Sequence, residues 1–335
     1  MRASRPETIK VVKESSRRDI VFALARKPGT SRVFCGGSDF TVYEIELDQT
    51  KPEAVELGRH NSYVTGVALA GTTLISGGYD GRLIWWNIES RSKIREVDAH
   101  RKWIRGVVAT PDGQFVASVA DDMVCRLWDV ASGRMIHALE GHAELTPTHF
   151  PSMLFACAIS PDSRYIATGD KVGHITVWDL ESGQSLTTIE APGMYTWDAV
   201  QRHHSIGGIR SLAFSLDGTR LAVGGSGKIS NIDHLDGQAR VEVFDWKKGE
   251  RTHEFVSDKF KGMVEFLGFH PHGDWLLAAG GGDKDGFYTF FDLSAKKVLA
   301  QEKAPMYIHG LALNEKGDTI FAVGHKKIAV LGMQD

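Results

Sequence analysis

The chain repeats itself, and no other feature limits its fold so tightly. Segments 76–88 (SGGYDGRLIWWNI), 118–130 (SVADDMVCRLWDV), 168–180 (TGDKVGHITVWDL) and 281–293 (GGDKDGFYTFFDL) follow one pattern. Each has a small residue, a turn with Asp or Gly, an alternating apolar strand, then an aromatic residue that Asp or Asn usually follows. The aromatic anchors Tyr43, Trp86, Trp128, Trp178, Phe244 and Phe291, with Leu331 in a weak last copy, are spaced by 43, 42, 50, 66, 47 and 40 residues. Four short strands per copy at such a period predict a radial all-β repeat fold, because one copy alone cannot bury its apolar faces.

A second marker lies between the anchors. Pro28-Gly29, Pro111-Asp112-Gly113, Pro161-Asp162-Ser163, Leu216-Asp217-Gly218, Pro271-His272-Gly273 and Glu315-Lys316-Gly317 each separate two apolar strands. Pro fixes φ, Asp bonds its own backbone and Gly accepts positive φ, so these are hairpin turns. Ser132-Gly133, Ser182-Gly183 and Lys248-Gly249 close the next hairpin. Composition agrees: 36 Gly, 42% hydrophobic and 24% charged residues describe a globular chain rather than a disordered one.

On these residues the chain resembles the WD-repeat β-propeller family over nearly its whole length. The resemblance implies an all-β, seven-bladed propeller of four-stranded antiparallel blades. The expected blades are 19–57, 60–97, 100–139, 142–190, 195–256, 260–301, and 305–333 completed by 8–14. That last segment, TIKVVKE, has strand chemistry and no blade of its own; it is expected to pair beside 327–333 and close the ring. The resemblance also implies a structural tetrad of His, Ser or Thr, Asp and Trp. It falls on His60, Ser76, Asp80 and Trp86, then on His100, Ser118, Asp122 and Trp128. In the next copy it gives His142, Thr168 and Trp178, but Val172 stands at the Asp position, so that network is expected to be incomplete.

Long insertions mark where partners are expected to bind. Residues 143–152, 192–208 and 227–239, with the shorter turn 281–286, are all assigned to one face of the propeller, its upper face. Within 192–208, Tyr195, Trp197 and Arg202 have the residue types that anchor interfaces. The bland reading is that these aromatics pack the insertion back onto the scaffold. Arg105 and Arg210 begin innermost strands; with Trp103, Tyr63, Lys102 and His309 they are placed at the channel mouth to read an acidic or phosphorylated peptide. The alternative is that these arginines pair with turn carboxylates such as Asp80 and Asp122.

Other chemistries find less support. The net charge of −3 excludes a strongly basic nucleic-acid-coating chain. Cys35, Cys125 and Cys157 sit in apolar strand contexts and read as inert thiols of a reducing compartment. There is no GxSxG, and GGSGK at 224–228 lacks Walker spacing. Among 14 His, the grouping of His203, His204, Asp233 and His234 has poor ligand spacing, so no metal and no cofactor are expected. No stretch reaches the roughly 18 apolar residues of a membrane helix, and residues 1–18 lack a signal-type apolar core. The expectation is a non-catalytic, cytoplasmic propeller that binds a protein or peptide within a larger assembly, without nucleic acid or membrane insertion. The rival is a propeller hydrolase or lactonase-like enzyme, metal-dependent or not, with its site at the channel mouth.

Overall fold

In the computed structural model, residues 5–199, 204–230, 234–273, 275–283 and 285–334 are described. They form strands, turns and two short 3-10 turns, Pro6–Thr8 and Pro192–Met194, with no α-helix among them. Five antiparallel sheets have four strands each, in chain order, and span 64–98, 104–140, 154–190, 209–261 and 263–304. A sixth sheet has six strands, and residues 195–207 make a two-stranded hairpin, Tyr195–Asp198 with His204–Gly207. No described helix is long and apolar enough to cross a membrane.

Contacts divide the chain into two compact units. The first is Met1–Leu139 with His309–Asp335; the second is Glu140–Ile308. The six-stranded sheet belongs to the first and corrects the blade count of seven: six sheets of four or more strands are present among the described residues. The reason is strand continuity. Lys10–Arg26 runs for 17 residues and Thr319–Gly332 for 14. The first half of Lys10–Arg26 pairs with Lys327–Gly332, and its second half, from Val21, pairs with Val33–Gly37. Strands expected in the first and last copies therefore share one sheet. The terminal pairing is also tied by side chains. Thr8 Oγ1 donates to the Gln334 carbonyl at 3.0 Å, Lys13 Nζ to the Leu47 carbonyl at 2.9 Å, and Lys327 pairs with Glu14 at 2.9 Å.

The repeated small residues have a packing cause. A Cβ on Gly66 of the first strand or Gly77 of the second would lie 2.7 Å from Val107 of the neighbouring sheet, so both strands must be thin where these sheets meet. Ile75, Trp85, Ile104, Val107, Val116 and Trp128 fill that junction in the first unit. In the second, Val241, Val264, Leu267, Leu276 and Phe287 do the same between the 209–261 and 263–304 sheets. The Pro-Asp-Gly turn at 111–113 works as its chemistry requires. Asp112 accepts from Thr110 Oγ1 at 2.6 Å and from the Gln114 N–H at 2.9 Å, while Gly113 takes φ of 72°.

Candidate functional site

Three polar networks stiffen the scaffold. His60 Nδ1 is 3.1 Å from Asp80 Oδ1 and its Nε2 is 2.8 Å from Ser76 Oγ, which accepts from Trp86 Nε1 at 2.8 Å. The carboxylate only accepts, so the ring proton sits on Nδ1; Ser76 then donates to Nε2 and accepts from the indole. His100, Asp122, Ser118 and Trp128 repeat this at 3.0, 2.8 and 3.0 Å. Arg126 Nη1 adds a donor to Asp122 at 2.8 Å. Burial opposes ionisation of Asp122, but the bonds from His100 and Arg126 outweigh it and hold its carboxyl below the ordinary range. Burial in turn lowers the pKa of His100 despite Asp122, favouring the neutral ring. Asp80 is likewise lowered: burial opposes the shift, and donation from His60 and the Asn61 N–H prevails.

The third network corrects the reading of Val172. His142 Nε2 is 2.8 Å from Thr168 Oγ1, which accepts from Trp178 Nε1 at 2.9 Å. His142 Nδ1 is 3.0 Å from Asp170 Oδ2, so the carboxylate comes from the strand end, two residues before Val172. Asp170 is fully buried and also accepts from the N–H groups of Val172 and His174, each at 3.0 Å. Thr168 and Asp170 are two apart on a strand and so share a face, which is the sequence signal that marks Asp170.

In the first unit, aromatic side chains run in an unbroken strip. Phe40 and Phe22 lie 5.6 and 5.7 Å from Tyr63, Tyr63 lies 5.7 Å from Tyr79, and Tyr79 stacks on Trp103 at 4.5 Å and 6°. Phe22 continues to His309 at 5.3 Å. Trp103 is 50% exposed and Tyr63 40%, a large apolar surface left in water. Arg105 lies over Tyr79 and Trp103. Its fork closes on Asp121 at 2.8 and 2.7 Å, and Nη1 donates to Tyr79 Oη at 2.5 Å. The turn carboxylate that holds Arg105 is thus Asp121, not Asp80 or Asp122. Beside Trp103 is a 350 Å³ cleft also lined by Tyr79, Arg101 and Lys102. Arg101 and Lys102 are exposed, while the carboxylates of the cleft, Asp80 and Asp121, are engaged by His60 and Arg105.

In the second unit the insertions touch one another. Tyr195 Oη is 3.4 Å from Thr148 Oγ1, and Trp197 packs on Phe150 at 5.3 Å. Thr196 Oγ1 accepts from the Ile229 N–H at 3.0 Å. His234 Nδ1 meets Asp283 at 2.8 Å, and the Leu235 N–H donates to the same carboxylate at 2.9 Å. Tyr195 and Trp197 are half-buried and Met194 fully buried, so these aromatics fold back onto the scaffold. Arg202, His203 and Asp233 lie outside the described residues, as does the side chain of His204. Arg210 lies 3.8 Å above the Phe155 ring, and its buried Nε has no hydrogen-bond partner among the described residues. Nearby, Tyr307 Oη donates to Glu265 at 2.9 Å.

Desolvation pushes the Cys35 and Cys157 thiols up to about 12, far from nucleophilic thiolates.

Comparison with known proteins agrees with this geometry. The family described as WD domain, G-beta repeat matches residues 52–87, 91–129, 133–179 and 197–233. The chain is 26% identical over 305 residues to mouse telomerase protein component 1, covering 91% of this chain and 10% of that protein. It is 26% identical over 176 residues to the rice small ribosomal subunit protein RACK1y, covering 52% and 44%. It is 36% identical over 98 residues to human U3 small nucleolar RNA-interacting protein 2, covering 28% and 21%. The chain thus spans about a tenth of the telomerase relatives and under half of the others named. Four matched repeats, four-stranded antiparallel sheets and His–Ser/Thr–Trp networks converge on one conclusion: this chain belongs to the WD-repeat family of β-propellers.

Proposed function

We propose that this chain is a non-catalytic scaffold that binds protein or peptide partners, and that its main docking surface is the aromatic strip of the first unit. The observation that carries this reading is Trp103: half-exposed, stacked flat on Tyr79 and braced by an arginine that Asp121 already satisfies. A rigid, amphipathic aromatic held in place loses little entropy on binding. Arg101 and Lys102 give the adjoining cleft its exposed charge, so the preferred ligand is an acidic or phosphorylated peptide. The relatives named above, a telomerase protein component and a small ribosomal subunit protein, are by name parts of larger assemblies, which supports a role within one.

The test is binding of labelled acidic, phosphorylated, neutral and basic peptide pools. Acidic pools should bind most tightly. Trp103→Ala should weaken them about tenfold or more, as expected of an anchor worth over about 1.4 kcal/mol. Lys102→Glu should weaken the acidic pools alone. Equal binding of all pools, or an unchanged affinity in Trp103→Ala, rejects this surface. The belt of insertions in the second unit is a second surface. There Leu145 is 52% exposed and Phe150, packed on Trp197, is 38% exposed; Leu145→Glu should perturb this surface without replacing the packed aromatics.

A further inference from the structure

The 209–261 and 263–304 sheets leave a 390 Å³ cavity between their outermost strands, Glu250–Lys261 and Lys297–Ala304. That volume falls in the range of roughly 300–1,000 Å³ typical of ligand pockets. Its wall is a bulge. Four residues of the first strand, 257–260, stand opposite the single Ala239, because Arg240 pairs with Val256 and Gln238 with Lys261. The bulge reaches the next sheet, where Ser257 Oγ donates to Gln301 Oε1 at 3.2 Å and Lys259 Nζ to the Gln301 carbonyl at 2.7 Å. Phe260 stacks on Phe287 at 5.4 Å. These bonds hold the cavity open rather than letting the two sheets close over it.

The floor is apolar and aromatic. Val264, Ala278, Phe287 and Phe291 are buried beneath it, and Phe255 packs on Phe291 at 4.4 Å. The charged residues of the lining are Glu254 and Asp258, both acidic. Glu254 already holds two guanidinium groups, Arg240 at 2.6 Å and Arg251 at 2.8 Å. Asp258 is exposed and meets the Gln301 amide at 3.4 Å; among the described residues no cation lies within ion-pair distance of it. We propose that this cavity receives one arginine side chain from a partner protein. Its methylenes would cover the apolar floor, its flat face would lie against phenylalanine, and its fork would close on Asp258. Charge complementarity excludes an anionic occupant, and the planar, aromatic floor favours guanidinium over ammonium. The site lies in the second unit and does not depend on the Trp103 surface.

The test uses the full chain with labelled valine methyls and capped Gly-Gly-X-Gly-Gly peptides, where X is arginine, lysine, citrulline or norleucine. The arginine peptide should shift the Val264 and Val298 methyl signals saturably. Citrulline, which keeps the shape and loses the charge, should bind at least about fivefold more weakly, and Asp258→Asn should lower the arginine affinity by a similar factor. Lys303→Gln, outside the lining, should change nothing and checks that surface substitutions are tolerated. Equal binding of citrulline or norleucine, an equal or better lysine peptide, an unaffected Asp258→Asn variant, or no saturable shift would each overturn the assignment.

Discussion

The side chains that matter most for order are buried carboxylates. Asp122 and Asp170 each accept from a histidine whose other nitrogen faces a hydroxyl, so removing either leaves a buried ring N–H unpaired. An orphaned donor costs about 1–3 kcal/mol, so Asp122→Ala and Asp170→Ala should both destabilise by that amount in urea unfolding. A loss in Asp122→Ala alone would mean that Asp170 does not complete the third network. Asp170 shows what spacing arguments miss. A fixed offset of four residues from Ser76 to Asp80 and from Ser118 to Asp122 leads to Val172 when counted from Thr168. The strand face, with its period of two, leads to Asp170 instead. A hydrogen bond needs an oxygen at a place, and two backbone positions can reach the same place.

At the scale of elements, the terminal strand carries the strongest expectation. Lys10–Ser16 covers the edge of Lys327–Gly332, and Thr8, Lys13 and Glu14 tie it down. Deleting residues 5–16 should lower the melting temperature and expose a strand edge that promotes association, read as a loss of monomer in sizing at raised concentration. An unchanged melt and a monomeric variant would show the pairing to be dispensable. The chemistry of TIKVVKE made this strand legible in the sequence. That it continues without a break into the next strand of the same sheet was not legible, because the polar residues 15–18 between the expected strand 8–14 and the expected blade from 19 have no apolar alternation to mark them as strand. The insertion at 192–208 behaves likewise. Its aromatics allow two readings, interface anchors or groups packed onto the scaffold, until the 143–152 segment, remote in sequence, is seen packed against them.

For the whole molecule, the networks predict a direction for acid stability. The carboxyls of Asp80 and Asp122 are lowered in the fold, so their contribution is present above the unfolded carboxylate value of about 4 and is lost as pH falls below it. His100 is also lowered, so the unfolded chain binds its proton first, and stability begins to fall below about 6.5. Unfolding free energy should therefore decline from near pH 7 to pH 3, in two stages, and Asp122→Asn should flatten the lower stage. A constant unfolding free energy over that range would contradict the pairing of these groups.

The sequence by itself determined the repeat and the strand-turn-strand grammar within each copy, because these depend on residues close in the chain and on periods that the backbone imposes; the histidine–hydroxyl–indole triplets followed from the family resemblance that the repeat carries. Only the tertiary structure decided which carboxylate answers His142, which partner holds Arg105, how the terminal strands merge into one sheet, and that a bulge props open an acidic cavity above buried phenylalanines. Those outcomes depend on distances between segments far apart in the chain, and a distance of that kind exists only once the sheets have packed.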